Sequence, residues 1–270
     1  MNGWIYVHNL DPVLVQLGPV RIGWYGLMYA FGFLIGYWLA LREARRGGGA
    51  VREADVPNLT TYLILGVVLG GRLGWVIFYG GSGYLEEPWR ILETWKGGMS
   101  FHGGLLGVTA ALLLFARTRK ISLLDVTDMT VRYVAIGLFL GRIGNFINGE
   151  LWGKPTDGTW GVVFPGDRLH VPRHPSQLYE SLLEGVVIFV ALSLLRRRSQ
   201  PVGAQSALFV LLYGLARTAV EFVRLPDADI GYLWGPITMG QVLSAPMWIV
   251  GLGWLIFLYA RESRGSRARG

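Results

Sequence analysis

The sequence predicts an all-α polytopic membrane protein: seven transmembrane helices, the N-terminus outside and the C-terminus cytoplasmic, in one integral-membrane domain over residues 1–270 with outer loops forming a small head. Three observations predict it. The 270-residue chain is 52% hydrophobic and only 16% charged, with a mean hydropathy of +0.40, values that belong to a membrane protein rather than a soluble domain. Apolar runs of about 20 residues, the length a spanning helix needs, recur along it. Its basic residues gather in short tufts between alternate runs, the pattern of the positive-inside rule.

Taken in order, residues 1–20 are mixed and broken by Pro12 and Pro19. They lack the basic start and cleavage site of a signal peptide, and read as an amphipathic segment on the membrane surface. The first span, 22–41, is nearly all apolar or Gly and begins with Trp24 and Tyr25, where an aromatic belt falls. The second, 59–79, contains Arg72. The polar loop 80–98 follows, and Trp89 and Trp95 suggest an interfacial helix there. The third span is 99–116 and the fourth 126–147, which empties into a polar segment, 148–175. The remaining spans are 177–195, 204–223 and 237–260, the last running into the tail RESRGSRARG.

Charge fixes the orientation. The first, third and fifth connections and the tail together hold 14 Arg and Lys, against 7 on the other side: Arg21, Arg90, Lys96, Lys154, Arg168, Arg173 and Arg224. The segments 80–98 and 148–175 are therefore expected outside. The net charge of +7 is explained by these tufts, and no nucleic-acid partner is expected. The chain has no cysteine, which excludes disulfides, thiolate metal ligands and a cysteine nucleophile of its own. His8, His102, His170 and His174 show no metal-binding spacing, and neither metal nor cofactor is expected. No internal repeat of the transporter kind is visible.

Against this apolar background the stretch GRIGNFINGELWG, residues 141–153, stands out. Arg142, Asn145, Asn148 and Glu150 lie within nine positions at the end of the fourth span. An arginine in a hydrocarbon core costs roughly 2.5 to 3.5 kcal/mol on insertion scales, and one turn of helix puts Arg142 and Asn145 on one face. The bland reading is that Arg142 snorkels or pairs with a neighbouring helix. In the sixth span Arg217, Glu221 and Arg224 share a face, either as a packing ladder or as a cationic site with excess positive charge. Guanidinium forks suit phosphate, and a lipid phosphate is the anion at that depth. Glu180 and Glu184, one turn apart, are candidate partners for these arginines, and Arg72 has an equal claim to structural pairing. His102, beside Gly103 and Gly104, is either a base or a simple hydrogen-bonding group. Tyr25 is either a donor or an interfacial anchor. A lipid-processing enzyme, an organic-anion transporter and a non-catalytic lipid-binding scaffold all remain open from these residues.

Several blocks resemble one family. GRIGNFINGELWG is similar to the signature of the prolipoprotein diacylglyceryl transferases of the bacterial plasma membrane. The likeness extends through WYGLMY (24–29), GGRLG (70–74), MSFHGG (99–104), RHPSQLYE (173–180), EFVRLPD (221–227) and MGQVLSAPM (239–247). The resemblance implies a multi-pass inner-membrane enzyme with its site toward the outer face. It would move the diacylglyceryl group of phosphatidylglycerol onto the lipobox cysteine thiol of a preprolipoprotein, forming a thioether and releasing glycerol phosphate. Its partners would be phosphatidylglycerol, the preprolipoprotein signal peptide and membrane lipids, and a monomer is expected. By matching position, Arg142 and Arg217 would bind the phosphate and stabilise the leaving group. Asn145, Glu150, Glu221 and Arg224 would form the surrounding polar network, joined in substrate binding by Gly153 and Arg72. His102 and Tyr25 would be candidates for thiol deprotonation and positioning.

Overall fold

A computed structural model describes residues 3–18, 20–47, 49–81, 83–226 and 231–267. Asp227, which ends the EFVRLPD block, and Arg269 of the basic tail lie outside the described residues. The chain is mostly helical and forms two compact units, Met1–Gly36 with Asp128–Gly270, and Tyr37–Thr127. Five helices are long and apolar enough to cross a membrane among the described residues: Trp24–Arg45, Glu53–Tyr79, Phe101–Arg119, Ser176–Leu195 and Met239–Arg264. The protein is a multi-pass membrane protein.

The larger unit opens with short strands. β1 (Trp4–Val7) pairs in parallel with β4 (Trp160–Val163). β2 (Val13–Leu17) and β3 (Val20–Gly23) form an antiparallel pair running directly into α1 (Trp24–Arg45). With the later pair β5 (Tyr232–Trp234) and β6 (Ile237–Thr238), these are short additions to a mostly helical chain that agrees with the all-α expectation. Each pair is short, and Pro12 stands directly before β2. His8 fastens β1 to the helices: its ring Nε2 lies 2.7 Å from the Phe146 carbonyl and its ring packs on Phe146 and Phe164.

α5 (Leu123–Asn148) is the 26-residue element at the centre of this unit. The first half of α1 lies along it through small residues. A Cβ on Gly32 would stand 3.3 Å from Gly137 Cα, and one on Gly144 would stand 3.0 Å from the Tyr25 ring. Past a head of short bridges comes α6 (Ser176–Glu180), which continues through a π-helical stretch, Ser181–Val187, into α7 (Ile188–Leu195). α8 (Ala204–Glu221) and α9 (Met239–Arg267) complete the unit. Gly203, in the left-handed conformation, precedes α8, and the cap comes from a distance. The Asp128 carboxylate accepts from Gly203 N at 2.7 Å and Ser206 N at 2.8 Å, satisfying donors that a helix start leaves open. α5 and α8, expected as the fourth and sixth spans, are helices at those positions, but they carry the polar residues and are not among the five.

The smaller unit packs α2 (Val56–Tyr79) on α4 (Phe101–Arg119). Gly66, Gly70 and Gly74 face Gly103 and Gly107 so closely that no Cβ fits between them, the small-residue contact by which membrane helices gain dispersion energy. Residues 80–98 form α3 (Gly83–Glu86) and two 3-10 turns, Pro88–Leu92 and Thr94–Lys96, in place of one interfacial helix. Pro88 and the positive φ of Gly81, Gly97 and Gly98 break it. Trp89 and Trp95 are exposed.

Candidate active site

The polar residues of the larger unit meet where α5, α6 and α8 come together. The π-helical stretch that follows α6 is locked onto α5 by two contacts. Ser181 Oγ donates to the Phe139 carbonyl at 3.1 Å, and Gly185 lies so near that a Cβ there would stand 2.5 Å from Phe139 Cβ. π-helical turns of this kind recur at functional positions. Here the turn begins directly after Glu180 and contains Glu184, and both side chains are completely buried.

Three arginines converge on Glu180. Arg142 of α5 places Nε 2.7 Å from Glu180 Oε2 and Nη2 3.5 Å from Glu184 Oε2. Arg224, just past α8, donates from Nη1 to Glu180 Oε1 at 2.8 Å. Arg217 of α8 lies 3.8 Å from the same oxygen and pairs closely with Glu221 one turn later. Glu221 in turn accepts from Thr238 Oγ1 at 2.6 Å. Gly240 lies against the Glu221 carboxylate, 2.5 Å from where its Cβ would be. Glu180 and Glu184 therefore are partners of Arg142, Arg217 and Arg224, and Thr238 joins them without any sequence signal of its own.

The excess positive charge expected of Arg217, Glu221 and Arg224 is offset by neighbours: with Arg142 counted, three arginines face three glutamates, because Glu180 and Glu184 add two carboxylates at the α5–α8 junction. Both donors and acceptors of this cluster are left without a hydrogen-bond partner among the described residues, Glu180 Oε2 and Glu184 Oε1 on the acceptor side. A guanidinium has five N–H groups, and Arg217 Nη1 is buried without a hydrogen-bond partner among the described residues. Such a cluster can take an anion through donors while its neighbours offset the cost of burying the charges.

A second group sits one turn further along α5. Asn145 and Asn148 both donate to Glu150 Oε1, at 2.9 and 3.1 Å, and Gln177 donates to the Glu150 carbonyl at 2.6 Å. Leu151, with φ of 59°, and Gly149, with φ of 63°, turn the chain sharply here. Tyr25 packs on Gly144, with its hydroxyl 3.3 Å from that of Tyr29. Gly153 bridges to Arg224, and a Cβ there would meet the Val223 carbonyl at 2.5 Å. Gly153 thus holds the chain bearing Glu150 against the end of α8. All of these predicted residues are brought into one unit.

Arg72 and His102 belong to the other unit. The Arg72 guanidinium is spent on protein: it donates to the carbonyls of Ile91 (2.8 Å), Gly97 (2.7 Å), Gly98 (3.1 Å) and Arg90 (2.6 Å), and to the Tyr84 hydroxyl (3.4 Å). It staples residues 84–98 onto α2, the structural role that the sequence had left equally open. His102 is exposed in the first turn of α4, which Ser100 caps by accepting from Gly103 N at 3.2 Å.

A family model described as "Prolipoprotein diacylglyceryl transferase" matches residues 12–257. The chain belongs to the prolipoprotein diacylglyceryl transferase family. It is similar to phosphatidylglycerol–prolipoprotein diacylglyceryl transferases of Nitratidesulfovibrio vulgaris (54% identical; 92% of this chain and 94% of the relative), Methylococcus capsulatus (51%; 94% and 97%) and Vibrio parahaemolyticus (48%; 96% and 95%). As a member of this transferase family, the chain has an enzyme's reason to keep a charged cluster among its helices.

In this transferase the head beside the cluster is itself held by ions. Arg173 grips Asp167 through Nε at 2.6 Å and Nη2 at 2.9 Å, a buried two-point pair. That bond holds the Asp167 carboxyl below the usual carboxylate range. Burial lowers His174 below the usual histidine range, against Trp160 and the Tyr179 hydroxyl. The pairing of Arg173 with Asp167 had no signal in sequence spacing, since five residues and a turn separate the two.

Proposed function

We propose that the protein transfers the diacylglyceryl group of phosphatidylglycerol to the lipobox cysteine thiol of a preprolipoprotein, the first step of bacterial lipoprotein maturation. The observation that carries this reading is the convergence of Arg142, Arg217 and Arg224 on one buried carboxylate, with Arg217 Nη1 still open. Thiolate sulfur forms a bond to the glyceryl carbon, and the bond from that carbon to phosphate oxygen breaks. Glycerol phosphate leaves with the electron pair. The charge to be stabilised develops on phosphate oxygen, and fixed guanidiniums in a site shielded from water are suited to that. Arg142 and Arg217 hold the phosphate. Asn145, Glu150, Glu221, Arg224 and Gly153 maintain the surrounding network.

A free thiol has a pKa of about 8.5, so a modest base or a neighbouring cation suffices to raise its thiolate fraction. His102 and Tyr25 are the candidates to take or guide that proton, with Arg72 ordering the outer segment beside α2. The protein acts as a single integral-membrane domain and a monomer in the plasma membrane, with seven spans, including α5 and α8. Its N-terminus and site lie on the outer side and its C-terminus inside, an arrangement supported by the distribution of Arg and Lys. The test is transfer of labelled diacylglycerol from phosphatidylglycerol to a lipobox peptide by purified wild type, Arg142→Ala, Arg217→Ala and His102→Gln. Thioether formation by wild type and its loss in folded arginine variants is expected. A wild type that forms no thioether with competent substrates overturns the assignment.

A further inference from the structure

We propose that Glu180 is a positioning residue for this transfer: its carboxylate sets the spacing of the three guanidiniums that receive the phosphate, an inference resting on the function proposed above. Its place follows from local structure. The π-helical stretch begins at the next residue, and Ser181 and Gly185 fix that stretch to Phe139 of α5. Glu180 is thereby carried into the junction with no solvent contact. One oxygen faces Arg142 at 2.7 Å. The other faces Arg224 at 2.8 Å and Arg217 at 3.8 Å. No other side chain touches arginines from both α5 and the end of α8 among the described ion pairs. Among those described ion pairs Glu184 meets Arg142, at 3.5 Å, and Glu221 meets Arg217 and Arg224.

Three like charges gathered in a low-dielectric site repel one another. Without Glu180 the arginine of α5 and those of α8 have no common anchor, and their long side chains separate. A phosphate arriving between them would then have to assemble the clamp itself, losing the pre-organisation that makes such donors effective. Glu180 holds that geometry before substrate arrives. It acts through the arginines and has no need to touch the lipid.

The experiment compares kcat/KM of purified, monodisperse wild type, Glu180→Gln, Glu180→Asp, Arg142→Lys and the double variant Glu180→Gln/Arg142→Lys, in phosphatidylglycerol micelles with a lipobox peptide. Glu180→Gln is expected to fall about 100-fold, the scale of losing one aligned transition-state donor. Glu180→Asp, which keeps the charge but shortens the reach, should recover about tenfold of that. The double variant should lie within about threefold of the poorer single variant, because residues acting as a unit are not additive. A role in folding alone predicts full additivity and no selective rescue by Asp. Wild-type kcat/KM in Glu180→Gln, or an additive double variant, overturns the proposal. If Glu180→Gln does not fold, Glu180→Asp decides: activity equal to wild type overturns the proposal, and a loss of about tenfold at normal stability upholds it. An inactive wild type in the same assay refutes the function itself, a result separate from either.

Discussion

Replacing Gly70 by Ala tests whether the contact between α2 and α4 is as close as the backbone implies. A Cβ at Gly70 would stand 2.5 Å from the Gly103 carbonyl oxygen and 2.7 Å from Gly107 Cα, where ordinary contact begins at 3.4 Å. The overlap is therefore about 0.7 to 0.9 Å by the usual contact distances. Both opposing atoms are backbone, so no rotamer change relieves it and the helices must part. Parting also loosens the neighbouring contacts of Gly66 with Gly107 and of Gly74 with Gly103. Overpacking of this kind costs about 1–3 kcal/mol, while Ala in a helix interior returns at most about 1 kcal/mol. The control is Gly253→Ala in α9, where no atom lies within 4 Å of the new methyl and only the propensity gain applies. The thermal midpoint in one detergent is expected to fall for Gly70→Ala and to hold or rise for Gly253→Ala. Transfer activity should fall in the first alone, since His102 directly precedes Gly103 in the displaced turn. Equal midpoints for the two variants would refute the close-packing argument.

Three further expectations follow from the site. Arg72→Lys removes the fork that binds four backbone carbonyls, so amide exchange in residues 84–98 should quicken while that of α9 stays unchanged; unaltered exchange in both would contradict the staple. Gly144→Val pushes a branched side chain at the Tyr25 ring, already 3.0 Å from a Cβ there, and transfer should drop about tenfold at near-normal yield, as for misplaced catalytic groups. Asp167, held low by Arg173, stabilises the fold above the ordinary carboxylate range, and that contribution disappears as the pH falls through its lowered value. Unfolding of wild type between about pH 5 and pH 2 should accordingly be steeper in pH than unfolding of Asp167→Asn, and identical profiles would argue against the pair.

Helical segments and the residues of the site were legible in the sequence for one shared physical reason. Both depend on the contrast between apolar runs and isolated polar groups, and Arg142, Asn145, Arg217 and Glu221 stand out because water cannot solvate them there. Glu180 and Glu184 were legible as partners through their one-turn spacing. The hub position of Glu180 was not, because it depends on a π-helical turn and on the seat of Gly185 against Phe139, neither of which leaves a periodic trace. The strands were missed for a related reason: β1 pairs with β4 across about 150 residues of chain, and four-residue strands are too short to show alternation. Arg72 was ambiguous because its acceptors are backbone carbonyls, which no side-chain pattern reveals.

Neither of the two helices that bring arginine to the cluster, α5 and α8, is among the five apolar enough to span a membrane on composition. An isolated α8 with Arg217 and Glu221 faces an insertion cost of roughly 2.5 kcal/mol or more per charge at the bilayer centre. Its own ion pair offsets only part of that. The remaining compensation comes from Glu180 at the end of α6, which reaches arginines of both helices, from Glu184 in the π-helical stretch, which reaches Arg142, and from Thr238 at the end of β6. Charged groups that oppose insertion of the separate helices are thus the ones that hold the assembled helices together. The same residues are those proposed above to hold the phosphate, a reading in which the chemistry and the specificity of packing draw on one set of contacts. A substitution that improves the hydropathy of α8, such as Arg217→Leu, should therefore ease its insertion while weakening its union with α6, and transfer should be lost even where the protein reaches the membrane in normal amount.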